Sequence, residues 1–293
     1  RQSISRFLWS LFLLGVGVAI IGILQLGAGN EFIYGLRKVY LRQPFGPYYS
    51  KAHGAAFLSM SFFIGAGLFF SQLNVLIKTW NSKLRADLFA KQVLLFFLLA
   101  IVMAGILSTD CQGAFFALIL SGFCCLVLTT EAYQNKIKWV LRMGAILFLL
   151  IVAAYFYSSP QWVGYLPGAT FLRRGYDRLN IYQDSLTLLQ DFLTFGIGAG
   201  AFRQGFAAYK TNFLDSFVKH AHSDYLELAL QTGALGFFVF ALGLLYLLNF
   251  IIMVWKQSSS KALTRGLMFS SLAFLIHEVI EFSFQIPANA VVF

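Results

Sequence analysis

Charge is scarce in this chain. Only 12% of its 293 residues are Asp, Glu, Lys or Arg, while 59% are hydrophobic. A soluble globular protein carries about 25% charged residues. The deficit excludes an ordinary soluble domain and points to a polytopic membrane protein. Cysteine is scarce too. Cys111, Cys124 and Cys125 fall in or beside apolar runs, and the long polar segment near 158–228 has none. This argues against a disulfide framework and against a thiolate metal site. Alternating patterns long enough for a barrel are missing, and no internal repeat is visible. The first apolar run continues too long to be the core of a signal peptide. The chain opens at Arg1 and stops at Phe293 inside an apolar run. We expect it to be a piece of a longer protein, with further helices at either end.

Long apolar runs are abundant. Stretches able to cross about 30 Å of hydrocarbon lie near 7–26, 54–76, 92–109, 113–130, 137–157, 229–254 and 265–286. The expected fold is therefore an all-α transmembrane bundle of about seven spans with one long outer loop. The corresponding division is 1–157 for five spans, 158–228 for the loop and 229–293 for two more spans. Pro160 and Pro167 mark the exit from the fifth span.

Basic residues set the orientation. Arg1 and Arg6, then Lys78, Lys83, Arg85 and Lys91, then Lys136, Lys138 and Arg142, and last Lys256, Lys261 and Arg265 all fall on one side. The positive-inside rule makes that side cytoplasmic. The loops near 27–53 and 158–228 then lie outside, with His53, His220, His222 and His277 on or toward that side. The net charge of +10 reads as membrane anchoring or attraction to anionic lipid, with no nucleic-acid partner. The loop at 27–53 runs against the rule, holding Arg37, Lys38, Arg42 and Lys51 against Glu31 alone. Two readings stand: other loops outvote it, or its cations bind a phosphate-bearing ligand.

From Arg178 to Leu193 the loop reads RLNIYQDSLTLLQDFL. Leu179, Tyr182, Leu186, Leu189 and Leu193 recur at helical spacing, which predicts an amphipathic helix. Packing on the bundle or the membrane surface would explain its apolar face. If the helix begins near Arg178, that cation opposes the helix dipole, and a bound anion would resolve the conflict. GIGAG at 196–200 follows. With no strand before it, it reads as a helix terminator and a close-packed turn.

Downstream comes HAHSDYLELALQTGALG, residues 220–236. Asp224 and Glu227 have capping-box spacing and predict a helix start. His222 would then stand just ahead of a helix N-terminus, where the dipole disfavours imidazolium and keeps a neutral proton acceptor. A histidine that merely hydrogen-bonds the loop is the plainer alternative. His220-x-His222 could also contribute to a zinc site, but no third ligand is suitably spaced. Near the end, His277, Glu281 and Gln285 recur every four residues beside Glu278. On one helix they would form a stripe facing the bundle interior or a water-filled cavity. Either a structural polar cluster or part of an acceptor path fits.

Several segments together resemble the O-antigen ligase and polymerase superfamily of bacterial membrane glycosyltransferases. His222-Ser223, nine residues and Gly233 fit the ligase pattern. Arg178 to Tyr182 is similar to the family's Arg-x-x-Ile-aromatic helix opening. QPFGPYYSKAHGAAFL at 43–58 and EVIEFSFQIPANA at 278–290 look like two further family segments. There are departures. The family's Asn-Arg-Asn is Ser50-Lys51-Ala52, its Ser-Arg-Gly is Cys111-Gln112-Gly113, and the Thr expected after Gly233 is missing.

The resemblance implies an inverting, metal-independent transfer with no cofactor. A glycan would pass from undecaprenyl diphosphate to a hydroxyl of lipid A-core or another glycan, at the periplasmic face of the bacterial inner membrane. It implies His222 as catalytic base. Arg178, Lys51, Arg42, Gln112, His220 and Asp224 would be donor or glycan contacts, with His277 and Glu281 in a secondary polar cluster. A polymerase with the same donor chemistry, or a non-catalytic glycolipid transporter or binder, is the alternative.

Overall fold

A computed structural model describes residues 2–29, 32–34, 36–39, 44–129, 170–211, 218–258 and 261–293. The expected fifth span at 137–157 and Arg42 lie outside the described residues. The elements are α1 (Gln2–Gly27), a short antiparallel pair β1 (Phe32–Ile33) and β2 (Arg37–Lys38), α2 (Lys51–Lys78), α3 (Ser82–Ser108) and α4 (Gln112–Thr129). They are followed by α5 (Thr170–Asp191), α6 (Phe202–Ala207), α7 (Asp224–Gln257), α8 (Lys261–His277), a 3₁₀ turn (Ser283–Gln285) and α9 (Pro287–Val292). In hydrocarbon, backbone N–H and C=O groups must satisfy one another, so apolar runs of this length become helices. Among the described residues, α1, α2, α3 and α7 are long and apolar enough to cross a membrane, and the apolar part of α4 is shorter. The α2–α3 connection needs only three residues, because the Asn81 side chain accepts from Lys83 N (3.1 Å) and Leu84 N (3.2 Å).

The chain forms two compact units, 1–121 with 247–293, and 122–246. In the first, α2 is central and packs against α1, α3 and α8. Small residues permit the closest approach. A Cβ on Gly67 would lie 3.0 Å from Gly266 Cα, and one on Gly266 would lie 2.7 Å from Gly67 Cα. Where lipid tails are as apolar as leucine, such backbone-to-backbone packing is what holds helices together. Phe12, Leu58, Met60, Leu95, Ile106 and Phe274 fill the space between.

The C-terminal segment corrects the expected span at 265–286. α8 ends at His277, and residues 278–280 turn. Glu278, fully buried, accepts a hydrogen bond from the backbone N–H of Ser283 and holds the chain in a reversal. Pro287 then starts a new short helix. His277, Glu281 and Gln285 therefore do not share a helix face. The four-residue spacing is real, but a buried carboxylate interrupts the helix that would have made it a stripe.

In the second unit, Leu188, Phe202, Phe206, Ala221 and Leu230 form the core. α5 begins at Thr170, so Arg178 lies about two turns inside the helix. The expected conflict between Arg178 and the helix dipole does not exist. Nor is the buried face of α5 the apolar stripe read from the sequence. Asp184, Ser185 and Leu188 are buried, whereas Leu179, Leu186 and Leu193 are exposed. Inward-facing Asp184 bonds Thr211, and Leu179, Leu186 and Leu193 are left for an apolar environment outside the unit.

α7 is not one continuous helix. Gly233 has φ 66° and ψ −172° and breaks it. The segment 193–200 supplies the partners the break removes. Ile197 N donates to Leu230 O (2.8 Å) and Gly198 N to Gln231 O (3.0 Å). Ala234 N donates to Leu193 O (2.7 Å) and Leu235 N to Thr194 O (3.4 Å). Four backbone groups beside the break are thus paired across to this segment. GIGAG is the close-packed turn expected, and what it packs on is the broken helix.

Candidate functional site

The histidine loop is built between α5 and the start of α7. Ser223, not Asp224, caps α7: its hydroxyl accepts from Leu226 N (3.4 Å), and its carbonyl accepts from Glu227 N (2.9 Å). Asp224 is the first helical residue and is buried. The capping-box reading is therefore shifted by one residue. Glu227, freed from that role, reaches back along the loop. It accepts from Ala221 N (3.0 Å) and from Gln231 Nε2 (3.2 Å), and its Oε1 lies 3.3 Å from His220 Nδ1. Gln231 passes the connection on, since its Oε1 accepts from Gly200 N (3.1 Å). One buried carboxylate and one amide thus tie the histidine loop to the glycine turn. Glu227 was not among the expected site residues. Its sequence signal, an acidic residue three positions into a helix, was absorbed by the capping reading.

His222 is half-buried and has φ 54°, the left-handed region. A non-glycine residue there costs about 1–3 kcal/mol and persists only when its surroundings fix it. Tyr182 helps to fix it by donating its hydroxyl to His222 O (3.0 Å). Arg178 precedes Tyr182 by one turn on the same face of α5. The fold therefore brings the α5 face that carries Arg178 to the histidine loop.

Two more carboxylates of α5 hold the segment after α6. Asp184 accepts from Thr211 N (3.0 Å) and Thr211 Oγ1 (2.9 Å), and Asp191 accepts from Tyr209 OH at 2.5 Å. The bond to Asp191, with smaller effects of burial and of the Asp191 charge, holds the Tyr209 phenol above its usual range.

The first unit carries a polar cluster of its own. Tyr48 OH donates to Asn289 Oδ1 (3.0 Å), and Asn289 Nδ2 donates to His53 O (3.1 Å). His53 Nδ1 lies 3.3 Å from Ser283 Oγ, and His277 Nδ1 lies 3.3 Å from Glu278 Oε1. Cys111 Sγ lies 3.7 Å from His277 Nε2. His53, His277, Glu278, Glu281, Ser283 and Asn289 are all buried. Burial, with a smaller effect of Tyr34, raises the Tyr48 phenol above its usual range. Lys51 is the first residue of α2 and half-buried, and Gln112 is the first residue of α4 and exposed. Lys51 is the cation that opposes a helix dipole here, the position the sequence had suggested for Arg178. Among the described residues, no three His, Cys, Asp or Glu side chains converge as a metal site.

No curated protein matches the chain. The family model described as O-antigen ligase matches residues 93–241, which is just over half of the chain and includes α5, the glycine turn, the histidine loop and the broken start of α7. The chain belongs to the O-antigen ligase family.

Proposed function

We propose that this protein is an inverting glycosyltransferase of the bacterial inner membrane, active at the periplasmic face. Its donor is a glycan on undecaprenyl diphosphate, and its acceptor is a hydroxyl of lipid A-core or another glycan. His222 takes the proton of that hydroxyl. The oxygen attacks the anomeric carbon from the side opposite the diphosphate, the bond to the diphosphate breaks, and the configuration inverts. Arg178 neutralises charge developing on the leaving group. Lys51, Arg42 and Gln112 enter as further donor contacts by sequence pattern, as do His220 and Asp224 for the glycan. A positioned base supplies about 10²–10⁴-fold, and electrostatic stabilisation of the leaving group supplies several kcal/mol more.

The observation that carries this reading is the His222 backbone. It sits in the left-handed region beside a capped helix start, with its carbonyl bonded by Tyr182 one turn from Arg178. Strain of this kind clusters where geometry serves chemistry. A second reading of the base has its own observation: His220, rather than His222, has the buried Glu227 carboxylate at Nδ1, the arrangement that orients a catalytic imidazole.

The test is transfer by purified protein from a lipid-linked donor, offered lipid A-core or a second lipid-linked repeat unit. Transfer to lipid A-core marks a ligase, and transfer to the repeat unit marks a polymerase. No transfer to either, with donor still bound, would leave a glycolipid binder or transporter.

A further inference from the structure

We propose that Cys111 is a nucleophilic thiol, activated by His277 and Glu278, that undergoes exchange with a small disulfide. The chemistry is distinct from glycosyl transfer and uses neither His222 nor Arg178, although His277 belongs to the secondary polar cluster named above. Asp110, at φ 53°, turns the chain sharply between α3 and α4 and presents Cys111 just ahead of α4. The Cys111 backbone is pinned on both sides: its N–H donates to Thr109 Oγ1 (3.3 Å), and its carbonyl accepts from Phe115 N (3.1 Å). The residue is half-buried.

The thiol faces an oriented base. Its sulfur lies 3.7 Å from His277 Nε2, and the other ring nitrogen lies 3.3 Å from Glu278 Oε1. Glu278 accepts from Ser283 N through its second oxygen. A carboxylate accepts, so Nδ1 carries a ring proton and Nε2 is the nitrogen that can exchange a proton with the thiol. Nucleophile, imidazole and orienting carboxylate thus stand in the order that activates a weak nucleophile. Gly113 makes the approach possible. A Cβ there would lie 2.7 Å from Ile280 Cδ1 and 3.4 Å from His277 Cδ2.

In the exchange, the S–H proton moves to His277 Nε2 as the sulfur attacks one sulfur of the disulfide. That S–S bond breaks, a mixed disulfide forms, and the proton on His277 passes to the departing thiolate or to solvent. The orientation proposed above puts this end of the bundle outside, where disulfides persist.

The test treats the intact protein at neutral pH with an aromatic disulfide whose leaving thiolate is coloured, and locates the adducts by mass spectrometry. Cys111 should react at least about tenfold faster than Cys124 and Cys125, which lie within α4 away from its start. Folded His277→Gln should lose about tenfold or more of the Cys111 rate, the lower part of what a positioned base supplies. Should that variant fail to fold, the wild-type comparison of Cys111 with Cys124 and Cys125 decides alone. A Cys111 rate no greater than those of Cys124 and Cys125 overturns the proposal. So does a rate indifferent to His277→Gln. Glycan transfer is not part of the readout, so its failure leaves this result untouched.

Discussion

At the residue scale, His220 and His222 are two positions apart and held by different means. His220 has the buried Glu227 at its ring, whereas His222 has its backbone fixed by Tyr182. With His222 as base, His222→Ala should lower transfer by about 10²–10⁴-fold with insertion unchanged. His220→Ala should cost much less. Turnover assays of both variants decide, and the reverse order would move the base to His220 and make Glu227 its orienting group. A second prediction concerns the donor cations. On the proposed donor assignment, in which Gln112 replaces an arginine, Arg178→Ala and Lys51→Ala should each weaken donor binding or transfer by about 2 kcal/mol. Gln112→Arg should recover part of the Lys51→Ala loss, because it returns a cation to the same phosphate. The measurement is a double-mutant cycle on donor affinity and transfer rate. Strict additivity would remove Lys51 and Gln112 from a shared ligand. His222, Arg178 and the ligase spacing to Gly233 stand out in the sequence as candidates because each lies within a short motif. Glu227 as the loop's anchor does not, because an acidic residue in a first helical turn looks the same whether it caps the helix or bonds a loop.

At the element scale, the glycine turn and the broken α7 are one device. Gly196 and Gly233 both have positive φ, 70° and 66°, and a Cβ on Gly196 would come within 2.5 Å of Gly233 N. Gly196→Ala and Gly233→Ala should each bring about 1–3 kcal/mol of backbone strain, with a steric clash added. Gly243 is the control. It sits in α7 with nothing within 4 Å of an added Cβ, and alanine there should be neutral or stabilising by up to about 1 kcal/mol. Hydrogen exchange at the Ile197 and Gly198 amides reads the outcome. Equal protection in Gly196→Ala and Gly243→Ala would mean that the turn tolerates a side chain. The amphipathic helix was legible from its period, but its buried face was not. Periodicity ranks faces by hydrophobicity, whereas the fold buries the face with Asp184, whose partner Thr211 is 27 residues away.

At the scale of the whole molecule, orientation is the property to test. Single cysteines at Ser159 and Lys219 should react with an impermeant reagent in intact spheroplasts, and one at Ser259 should be protected. The basis is the distribution of basic residues, which are held cytoplasmic. Labelling at Ser259 with protection at Ser159 inverts the arrangement. Transfer should also survive excess EDTA, since cationic side chains are assigned the diphosphate charge. Arrest by chelation, reversed by zinc alone, would favour the His220-x-His222 metal reading instead.

Local features of the chain suffice to make it a helical membrane protein of the O-antigen ligase family. Runs of apolar residues and short motifs are local properties, and bilayer thickness turns the former directly into helices. Packing in three dimensions is what stops α8 at His277, breaks α7 at Gly233 against residues 193–200, and sets which histidine faces which carboxylate. Cys111 meets His277 across 166 positions, and His53 meets Ser283 across 230. Such contacts carry no period and no fixed spacing along the chain. They are settled by helix packing, and a buried polar group then takes whichever partner packing leaves in reach, because leaving it unsatisfied costs more than bending the backbone to meet it.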